Sequence, residues 1–380
     1  MNTSNKTVIF GGSFDPVTTA HVSLVRQLSV RFGRVIVMPC AVSPFKTSVS
    51  ASAAQRLDML NMSLSGAENA EISTFELEGP APSYTYLTLR RYAREAGELY
   101  LAVGSEMVIE LERWKNVDEI ASLARLYVVP RPHFPLNAAM RGKLDRLFPG
   151  RWEEADFAGE TGSSSEVRVS FAMGRPDMYM PEGAARYALG CGLYGEYGYV
   201  NALYAEYGMK RKRIDHSYST ALCGIWLAKR ACVDMHKAIT ALLLHDIGKY
   251  LTKEDAEARG VVFDGRIDDM PLPVRHAEIG AEILSQLVGI KDADVIEAVR
   301  WHTTGRPAMT AIEKVVYLAD YIEPLRDFPG VDELRASVEE DLDKGLLAAL
   351  KNSVSHVGEE IYPVTMRAYE YYAEKQGENA

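Results

Sequence analysis

The chain has 380 residues, of which 47% are hydrophobic and 25% are charged, and its formal net charge is −10. This length suits two or three domains, and the hydrophobic content is enough to bury more than one core. The acidic balance argues against a general nucleic-acid binder, which would present a basic face to phosphates. No apolar run approaches a membrane span and the start lacks a signal-peptide pattern, so we expect a cytoplasmic protein.

The first half of the chain alternates between strand and helix patterns. A β-branched run, TVIFGG, ends in a glycine turn and is followed by helical periodicity. This order of strand, glycine turn and helix is typical of the start of a nucleotide-binding fold. Strands are expected at residues 7–12, 35–38, 99–103 and 126–129, and helices at 20–30, 86–95 and 117–123. The alternation predicts a parallel, doubly wound α/β sheet. The polar segment 159–166, GETGSSSE, is expected to be a mobile loop.

From about residue 197 the pattern becomes entirely helical. Amphipathic segments follow one another without a convincing strand, which predicts an all-α domain. They cover residues 215–230, 235–250, 277–288, 293–301, 310–322 and 342–352. The glycine- and tyrosine-rich stretch 190–199 suits a linker, so the expected domains are 1–195 and 196–375.

Five of the eight histidines fall between residues 216 and 302, and four of them, together with two aspartates, are spaced as metal ligands would be. Imidazole and carboxylate together suit Fe, Mn or Zn, and six ligands exceed what one ion usually takes from protein. The candidate ligands are His216, His245, Asp246, His276, His302 and Asp320. They indicate a two-metal site, where a bridging water becomes hydroxide near neutral pH and can attack phosphorus.

The segments around these ligands carry a resemblance. They read RIDHS (213–217), LHDIGK (244–249), HAEIG (276–280), WHTTGR (301–306) and ADYIEP (319–324). In this order they resemble the HD phosphohydrolase superfamily, and more closely the bacterial symmetrical diadenosine-tetraphosphate hydrolases. The resemblance covers about residues 200–370.

The resemblance implies how the ligands are shared between two metal ions. His216, His245, Asp246 and Asp320 would hold one iron, and Asp246, His276 and His302 the second, with Mn or Zn as alternatives. We expect His245 and Asp246 to follow one another on a single helix, so that Asp246 can bridge both ions.

Five further residues of this half are expected to contact the substrate. Lys249, one turn beyond Asp246, and Arg306, whose guanidinium suits bidentate phosphate binding, are expected to act with Asp246 in catalysis. Thr303, Thr304 and Arg326 are the expected substrate-binding residues.

The first half resembles a different family. Gly11-Gly12-Ser13-Phe14-Asp15-Pro16 followed by His21 is similar to the GGxFDPxHxGH element of nicotinate-mononucleotide adenylyltransferases, in the nucleotidyltransferase superfamily. Glycines let the backbone approach a triphosphate, and two histidines stabilise charge on the transferring phosphoryl group. Here Thr18 stands in place of the first histidine and Ala20 in place of the glycine. Only His21 is retained.

Two other elements of that family are also altered. In Pro39–Lys46 the family's histidine is replaced by Phe45 while Lys46 is kept, and the closing ISSTxIR motif is matched to Val169–Arg175. The resemblance implies a Rossmann-like nucleotidyltransferase fold. The expected substrate-binding residues are Gly11, Gly12, Ser13, His21, Lys46 and Arg175.

The two resemblances together imply a fused protein. Its second half would cleave diadenosine tetraphosphate to two ADP, while its first half would have weak or lost transferase activity. Three alternatives stay open: a bifunctional enzyme that also makes deamido-NAD from nicotinate mononucleotide and ATP, a first half that senses nucleotides and regulates the hydrolase, and a different phosphoester substrate such as an alarmone. The expected partners are small nucleotides, without nucleic acid or membrane, and a homodimer is left open.

Overall fold

The computed structural model describes residues 5–42, 50–66, 68–79, 81–357 and 362–377. Its contacts divide the chain into two compact units, with the division after Gly195. Among the described residues, no helix combines the length and the apolar character needed to cross a membrane.

The described part of the first unit contains a six-stranded sheet in which every neighbouring pair of strands is parallel. Its strands are β1 (Lys6–Gly12), β2 (Arg34–Pro39), β3 (Ala70–Ile72), β4 (Glu98–Gly104), β5 (Arg125–Val129) and β6 (Trp152–Glu154). The spatial order is β3-β2-β1-β4-β5-β6, so the predicted doubly wound sheet is confirmed.

Helices connect these strands and cover the sheet. They are α1 (Thr19–Arg31), α2 (Ala53–Ser63), α3 (Phe75–Glu78), α4 (Thr85–Tyr92), α5 (Val117–Leu123), α6 (Ala138–Leu147), α7 (Ser164–Ala172) and α8 (Glu182–Gly190). Side chains alternate along β1, so that Val8 and Phe10 join one hydrophobic core and Ile9 joins the other. The order of strands reverses between β1 and β4, and ligands of such sheets bind beyond the carboxyl ends of the strands at this point.

The loop predicted over 159–166 is wrong in its second half, because α7 begins at Ser164. The Ser163 hydroxyl accepts a hydrogen bond from the backbone N–H of Glu166 (3.2 Å), and the Glu166 carboxylate accepts one from the N–H of Ser163 (2.6 Å). This capping box satisfies two N–H groups that the first turn of a helix leaves without partners. The polar residues Ser163 and Glu166 therefore mark the start of a helix.

The described residues of the second unit form helices joined by turns and loops, without a strand. Its helices are α9 (Val200–Glu206), α10 (Arg211–Arg230), α11 (Met235–Leu244), α12 (Lys253–Ala258), α13 (Arg275–Ile283), α14 (Ala293–Trp301), α15 (Ala311–Ile322), α16 (Val331–Glu340), α17 (Leu342–Val357) and α18 (Pro363–Gln376). The all-α prediction is confirmed. Residues Leu284–Val288 extend α13 as a π-helical turn, which explains why the periodicity predicted one longer helix.

The helix predicted over residues 235–250 ends earlier than expected, at Leu244. Beyond it, the backbone N–H groups of Ile247 and Lys249 bond to carbonyls three residues back instead of four. Gly248 explains the tight path. A Cβ there would lie 2.5 Å from the carbonyl oxygen of His276 and 2.7 Å from the backbone nitrogen of Gly280. The turn therefore packs directly against the backbone of α13.

Gly248→Ala is expected to destabilise the second unit by about 1–3 kcal/mol, because the added methyl group meets backbone atoms that cannot move aside without shifting α13. Thermal unfolding of the chelator-treated protein measures this effect without a contribution from metals. Gly183→Ala is the control, since its Cβ would meet nothing within 4 Å. Equal midpoints for the two variants would contradict the close approach.

Candidate metal centre and nucleotide site

The six predicted metal ligands come from five separate places in the second unit, and the fold brings them together. His216 lies on α10, His276 on α13 and Asp320 on α15, while His302 directly follows α14. His245 and Asp246 lie in the turn after α11, so the expectation that they share a helix is wrong. The four histidines and Asp246 are buried, and the Asp320 side chain is 16% exposed.

The fold fixes the orientation of all four imidazole rings through their Nδ1 atoms. His245, His276 and His302 each place Nδ1 at 2.7–2.9 Å from a backbone carbonyl three residues earlier. His216 places Nδ1 at 3.0 Å from Oε1 of the buried Glu323. Carbonyl and carboxylate oxygens only accept hydrogen bonds, so each Nδ1 carries the proton and each Nε2 presents a lone pair when the ring is neutral.

These Nε2 lone pairs face one another. Nε2 of His216 is 3.2 Å from Nε2 of His245, and Nε2 of His276 is 3.3 Å from Nε2 of His302. Two neutral rings that both donate through Nδ1 cannot form a hydrogen bond at these contacts, because neither Nε2 carries a proton. A cation between the nitrogens satisfies both lone pairs.

Asp246 stands between the two histidine pairs. Its Oδ2 lies 3.3 Å from Nε2 of His245 and 3.7 Å from that of His216. Its Oδ1 lies 3.2 Å from Nε2 of His276 and 3.7 Å from that of His302, and this buried oxygen has no hydrogen-bond partner. Each oxygen of one carboxylate thus faces one pair of imidazoles, which is the arrangement that a ligand bridging two ions requires.

Four of the ligands favour the protonation states that metal binding needs. His216 differs: burial would lower its pKa, but Asp320 and Glu323 raise it, so this ring has to release its proton when a metal binds. Burial lowers the pKa of His245, and it lowers the pKa of His276 to about 4, so both rings are neutral near pH 7. Burial alone would raise the pKa of the Asp246 carboxyl, but His245, His276 and His302 hold this pKa well below its usual range. Burial likewise opposes ionisation of Asp320, whose pKa is held low by His216 and Arg326.

The donor set therefore fits two divalent cations. Ligand atoms within 4.8 Å of one another form one group of His216, His245 and Asp246 and another of Asp246, His276 and His302, while Asp320 groups with His245 and His302. Asp320 also places Oδ1 2.9 Å from Nε2 of His216. Imidazole with carboxylate suits iron, manganese or zinc.

Basic and hydroxyl side chains surround the ligands. Nη1 of Arg213 donates to Oδ2 of Asp246 (2.6 Å), Nζ of Lys249 lies 3.2 Å from Nε2 of His276, and the Arg326 guanidinium binds the Asp320 carboxylate. The Thr303 hydroxyl lies 3.0 Å from Nε2 of His302. Three cationic groups and one hydroxyl are thus in contact with the ligand set, where a phosphate group could meet them.

Arg306 and Thr304 are placed differently from these residues. Nε and Nη2 of Arg306 both donate to the buried Glu313 at 2.8 Å, so the fork expected to bind phosphate holds a carboxylate in this structure. Thr304 is 2% exposed, and its hydroxyl donates to the carbonyl of Gly305. The geometry therefore favours Thr303 over Arg306 and Thr304 as a residue that contacts the substrate.

Two residues that contact the ligands were missed as site residues from the sequence. Arg213 reaches Asp246 across 33 positions of the chain, and Glu323 reaches His216 across 107. Both belong to the segments that carry the resemblance. Their spacing from the ligands, three residues before His216 and three after Asp320, is the signal that could have identified them.

In the first unit, the predicted glycine turn ends β1 beside the reversal in strand order. Gly11 and Gly12 are the last residues of the strand, and Ser13 follows. The buried Arg56 donates to the carbonyl oxygens of Ser13 (2.8 Å) and Cys40 (2.6 Å), which ties this turn to the end of β2. A buried side chain thus holds the glycine turn to the neighbouring strand.

Thr18 has taken a structural role at the position where the family has a histidine. Its hydroxyl accepts a hydrogen bond from the N–H of His21 (3.2 Å), and Nδ1 of His21 accepts one from the N–H of Thr18 (3.0 Å). The two side chains thus form a capping box at the start of α1. Nδ1 of the retained histidine is engaged in that cap.

The structure changes the assignment of the closing motif. Ser170 is buried within α7 and its hydroxyl donates to Val167, while Arg175 is exposed beyond the end of the helix. At the start of α7, Ser164 donates to the carbonyl of Pro16 (3.1 Å). Arg168 donates to the backbone carbonyl of Asp15 (3.0 Å).

We therefore match the motif to Ser163–Arg168 and no longer to Val169–Arg175, because that segment contacts the GGSFDP element. Periodicity could not separate the two, since serine and arginine occur in both. The predicted residues Phe45 and Lys46 lie outside the described part of the chain.

Comparisons with known proteins match a different family model to each unit. The family model described as Cytidylyltransferase-like matches residues 9–169, and the one described as HD domain matches residues 213–325.

Relatives are found for each unit and for the whole chain. The symmetrical bis(5'-nucleosyl)-tetraphosphatase of Bacillus subtilis is 38% identical over 42% of this chain and 88% of its own length. A probable nicotinate-nucleotide adenylyltransferase of Roseiflexus castenholzii is 34% identical over 50% of this chain and 99% of its own. A Mycoplasma genitalium protein named probable nicotinate-nucleotide adenylyltransferase/Ap4A hydrolase is 25% identical over 91% of this chain and 97% of its own.

Both resemblances noted in the sequence are thereby confirmed. The chain belongs to the nicotinate-nucleotide adenylyltransferase family in its first unit and to the HD-domain family of symmetrical bis(5'-nucleosyl)-tetraphosphatases in its second.

Proposed function

We propose that the second unit hydrolyses diadenosine tetraphosphate to two ADP at a two-metal centre. The observation that carries the proposal is Asp246, whose two carboxylate oxygens each face one pair of histidine Nε2 atoms. The substrate follows from the Bacillus subtilis relative, whose name states symmetrical cleavage of bis(5'-nucleosyl) tetraphosphates. Iron is the proposed metal, with manganese and zinc as alternatives.

When bound, such cations activate a water and stabilise charge on phosphoryl oxygens. The protein's own part is to hold the ligands and to bind the phosphates. Arg213, Lys249 and Arg326 contact the ligand carboxylates or imidazoles and can transfer these contacts to a polyphosphate chain. The Thr303 hydroxyl can donate to a phosphate oxygen at the same place. Arg306 would join them only by releasing Glu313.

For the first unit, we propose a nucleotide-binding domain with weak or lost transferase activity. The observation that favours it is the capping box, in which Thr18 replaces a charge-stabilising histidine and Nδ1 of His21 is engaged by the Thr18 backbone. Ser164 and Arg168 still contact the GGSFDP element, where the family binds its triphosphate. A sensing role for this domain and a bifunctional enzyme remain the alternatives.

Protein loaded with iron or manganese is expected to release ADP from diadenosine tetraphosphate. Asp246→Ala should lose both ions and all turnover, because it removes the carboxylate that both histidine pairs share. Metal content and ADP release are measured on the same samples. His356→Ala, at an exposed histidine, is the control and should keep both. A metal-loaded protein that leaves the substrate intact would refute the assignment.

Glu323→Gln is expected to weaken metal binding by about 10–100-fold, since the carboxylate that orients His216 and increases its basicity loses its charge. The measurement is a competition titration against a metal-binding dye. Glu339→Gln is a control at an exposed glutamate of α16, outside the proposed ligand set. If Glu323→Gln binds metal as the wild type does, Glu323 has no role in positioning His216.

Thr18→His is expected to raise the formation of deamido-NAD from nicotinate mononucleotide and ATP at least tenfold, because a charge-stabilising histidine commonly contributes about 10²–10⁴ in rate. Product is followed by chromatography. Thr18→Ser keeps the helix cap and should behave as the wild type. Abundant product from the wild type would establish the bifunctional enzyme instead.

A further inference from the structure

Several exposed apolar side chains lie next in the chain to residues that contact the metal ligands. Six large hydrophobic side chains are exposed in the described part of the second unit, and three of them adjoin residues that touch the proposed ligands. These three are Tyr250 (39% exposed), Leu272 (76%) and Leu325 (60%), which we call the apolar rim. Burial of apolar surface is favourable, so an exposed ring next to phosphate-binding cations offers a nucleotide base a face to cover.

Tyr250 is connected to contacts of the metal ligands through two lysines. It directly follows Lys249, whose Nζ lies 3.2 Å from Nε2 of His276. The ammonium of Lys210 lies over its ring, 4.7 Å from the centroid. Arg213, three residues beyond Lys210, donates to Oδ2 of Asp246. The same end of α10 therefore reaches both the bridging ligand and the aromatic ring.

The two leucines adjoin ligand contacts in the same way. Leu272 precedes Pro273, whose carbonyl accepts the hydrogen bond from Nδ1 of His276. Leu325 donates its backbone N–H to Glu323 (2.7 Å), the residue that orients His216. The rim thus has members beside a histidine of each pair.

We propose that Tyr250 is the platform on which an adenine base of the substrate stacks, with Leu272 beside the same histidine as a second apolar contact. The proposal rests on the function proposed above and names the element that selects nucleotides over bare polyphosphates. Cationic groups in contact with the ligands bind the phosphates, and the exposed ring beside them takes the base, since every purine has a face that stacks on an aromatic side chain.

A cation over the ring suits this role. The Lys210 ammonium is attracted by the electron-rich face of Tyr250 and so favours this position of the ring before the ligand arrives. A platform that is already ordered loses less conformational entropy on binding. The sequence alone does not indicate this contact, because Lys210 and Tyr250 are 40 positions apart and neither is a ligand.

The test compares ligands that differ by the nucleoside. ADP and inorganic pyrophosphate are titrated calorimetrically into the full-length, manganese-loaded protein, and the same titrations of chelator-treated protein give the binding that does not depend on metal. Tyr250→Ala is expected to weaken metal-dependent ADP binding about tenfold and to leave pyrophosphate binding within twofold. Tyr250→Phe keeps the ring and should remain within threefold of the wild type.

Matched controls come from the same unit. Tyr199→Ala removes a tyrosine of similar exposure (42%) that adjoins no proposed ligand, and it should change neither affinity. Leu272→Ser should weaken ADP binding about threefold, whereas Val262→Ser, at a residue with 74% exposure, should not.

The results can distinguish a failure of the Tyr250 platform from a failure of the proposed substrate. Unchanged ADP binding by Tyr250→Ala, equal weakening for ADP and pyrophosphate, or no metal-dependent ADP binding by the wild type would each overturn the platform. If Tyr250→Ala selectively weakens ADP binding while the wild type fails to cleave diadenosine tetraphosphate, the platform stands and the substrate proposed above is wrong.

Discussion

The second unit depends on the anchoring of four imidazole rings through their Nδ1 atoms. Three bond to carbonyls three residues back in the chain and one to Glu323, so all four Nε2 lone pairs converge around Asp246. The buried Nε2 atoms and the Asp246 oxygens are then all hydrogen-bond acceptors, with no donor among them. Burying them costs free energy unless cations bind there. Ion pairs between the helices help to hold this arrangement in place. Arg300, only 7% exposed, pairs with Glu278 and Glu282 and so joins α14 to α13.

The two units treat their polar site residues in opposite ways. In the second, every proposed ligand is present and each histidine has a partner that orients it toward the others. In the first, Thr18 stabilises the start of α1 and uses Nδ1 of His21 to do so. The Thr18 hydroxyl and Nδ1 of His21 each satisfy a backbone N–H group at the first turn of the helix. Thr18 therefore supports the fold of this unit at the position where the family has a histidine.

Much of the fold was predictable because its signals are local. The β-branched run of β1, the glycine turn after it and the 3.6-residue periodicity of α14 each lie within one short segment, and all appear where expected. The failures have two different causes. The helix predicted to reach Tyr250 stops at Leu244 because the turn around Gly248 packs on α13, a contact that no local pattern contains. The capping box at Ser163, by contrast, was local and was overlooked among polar residues.

The sequence by itself determined the two families, the parallel sheet and the identity of the six candidate ligands. Each can be identified from short local motifs and from their order along the chain. Only the tertiary structure decided how the ligands face one another, that Arg213 and Glu323 contact them, that the Arg306 fork pairs with Glu313, and that Lys210 lies over Tyr250. The physical reason is that these contacts join side chains from different helices or turns. Their distances depend on how the elements pack, and a linear pattern does not carry that information.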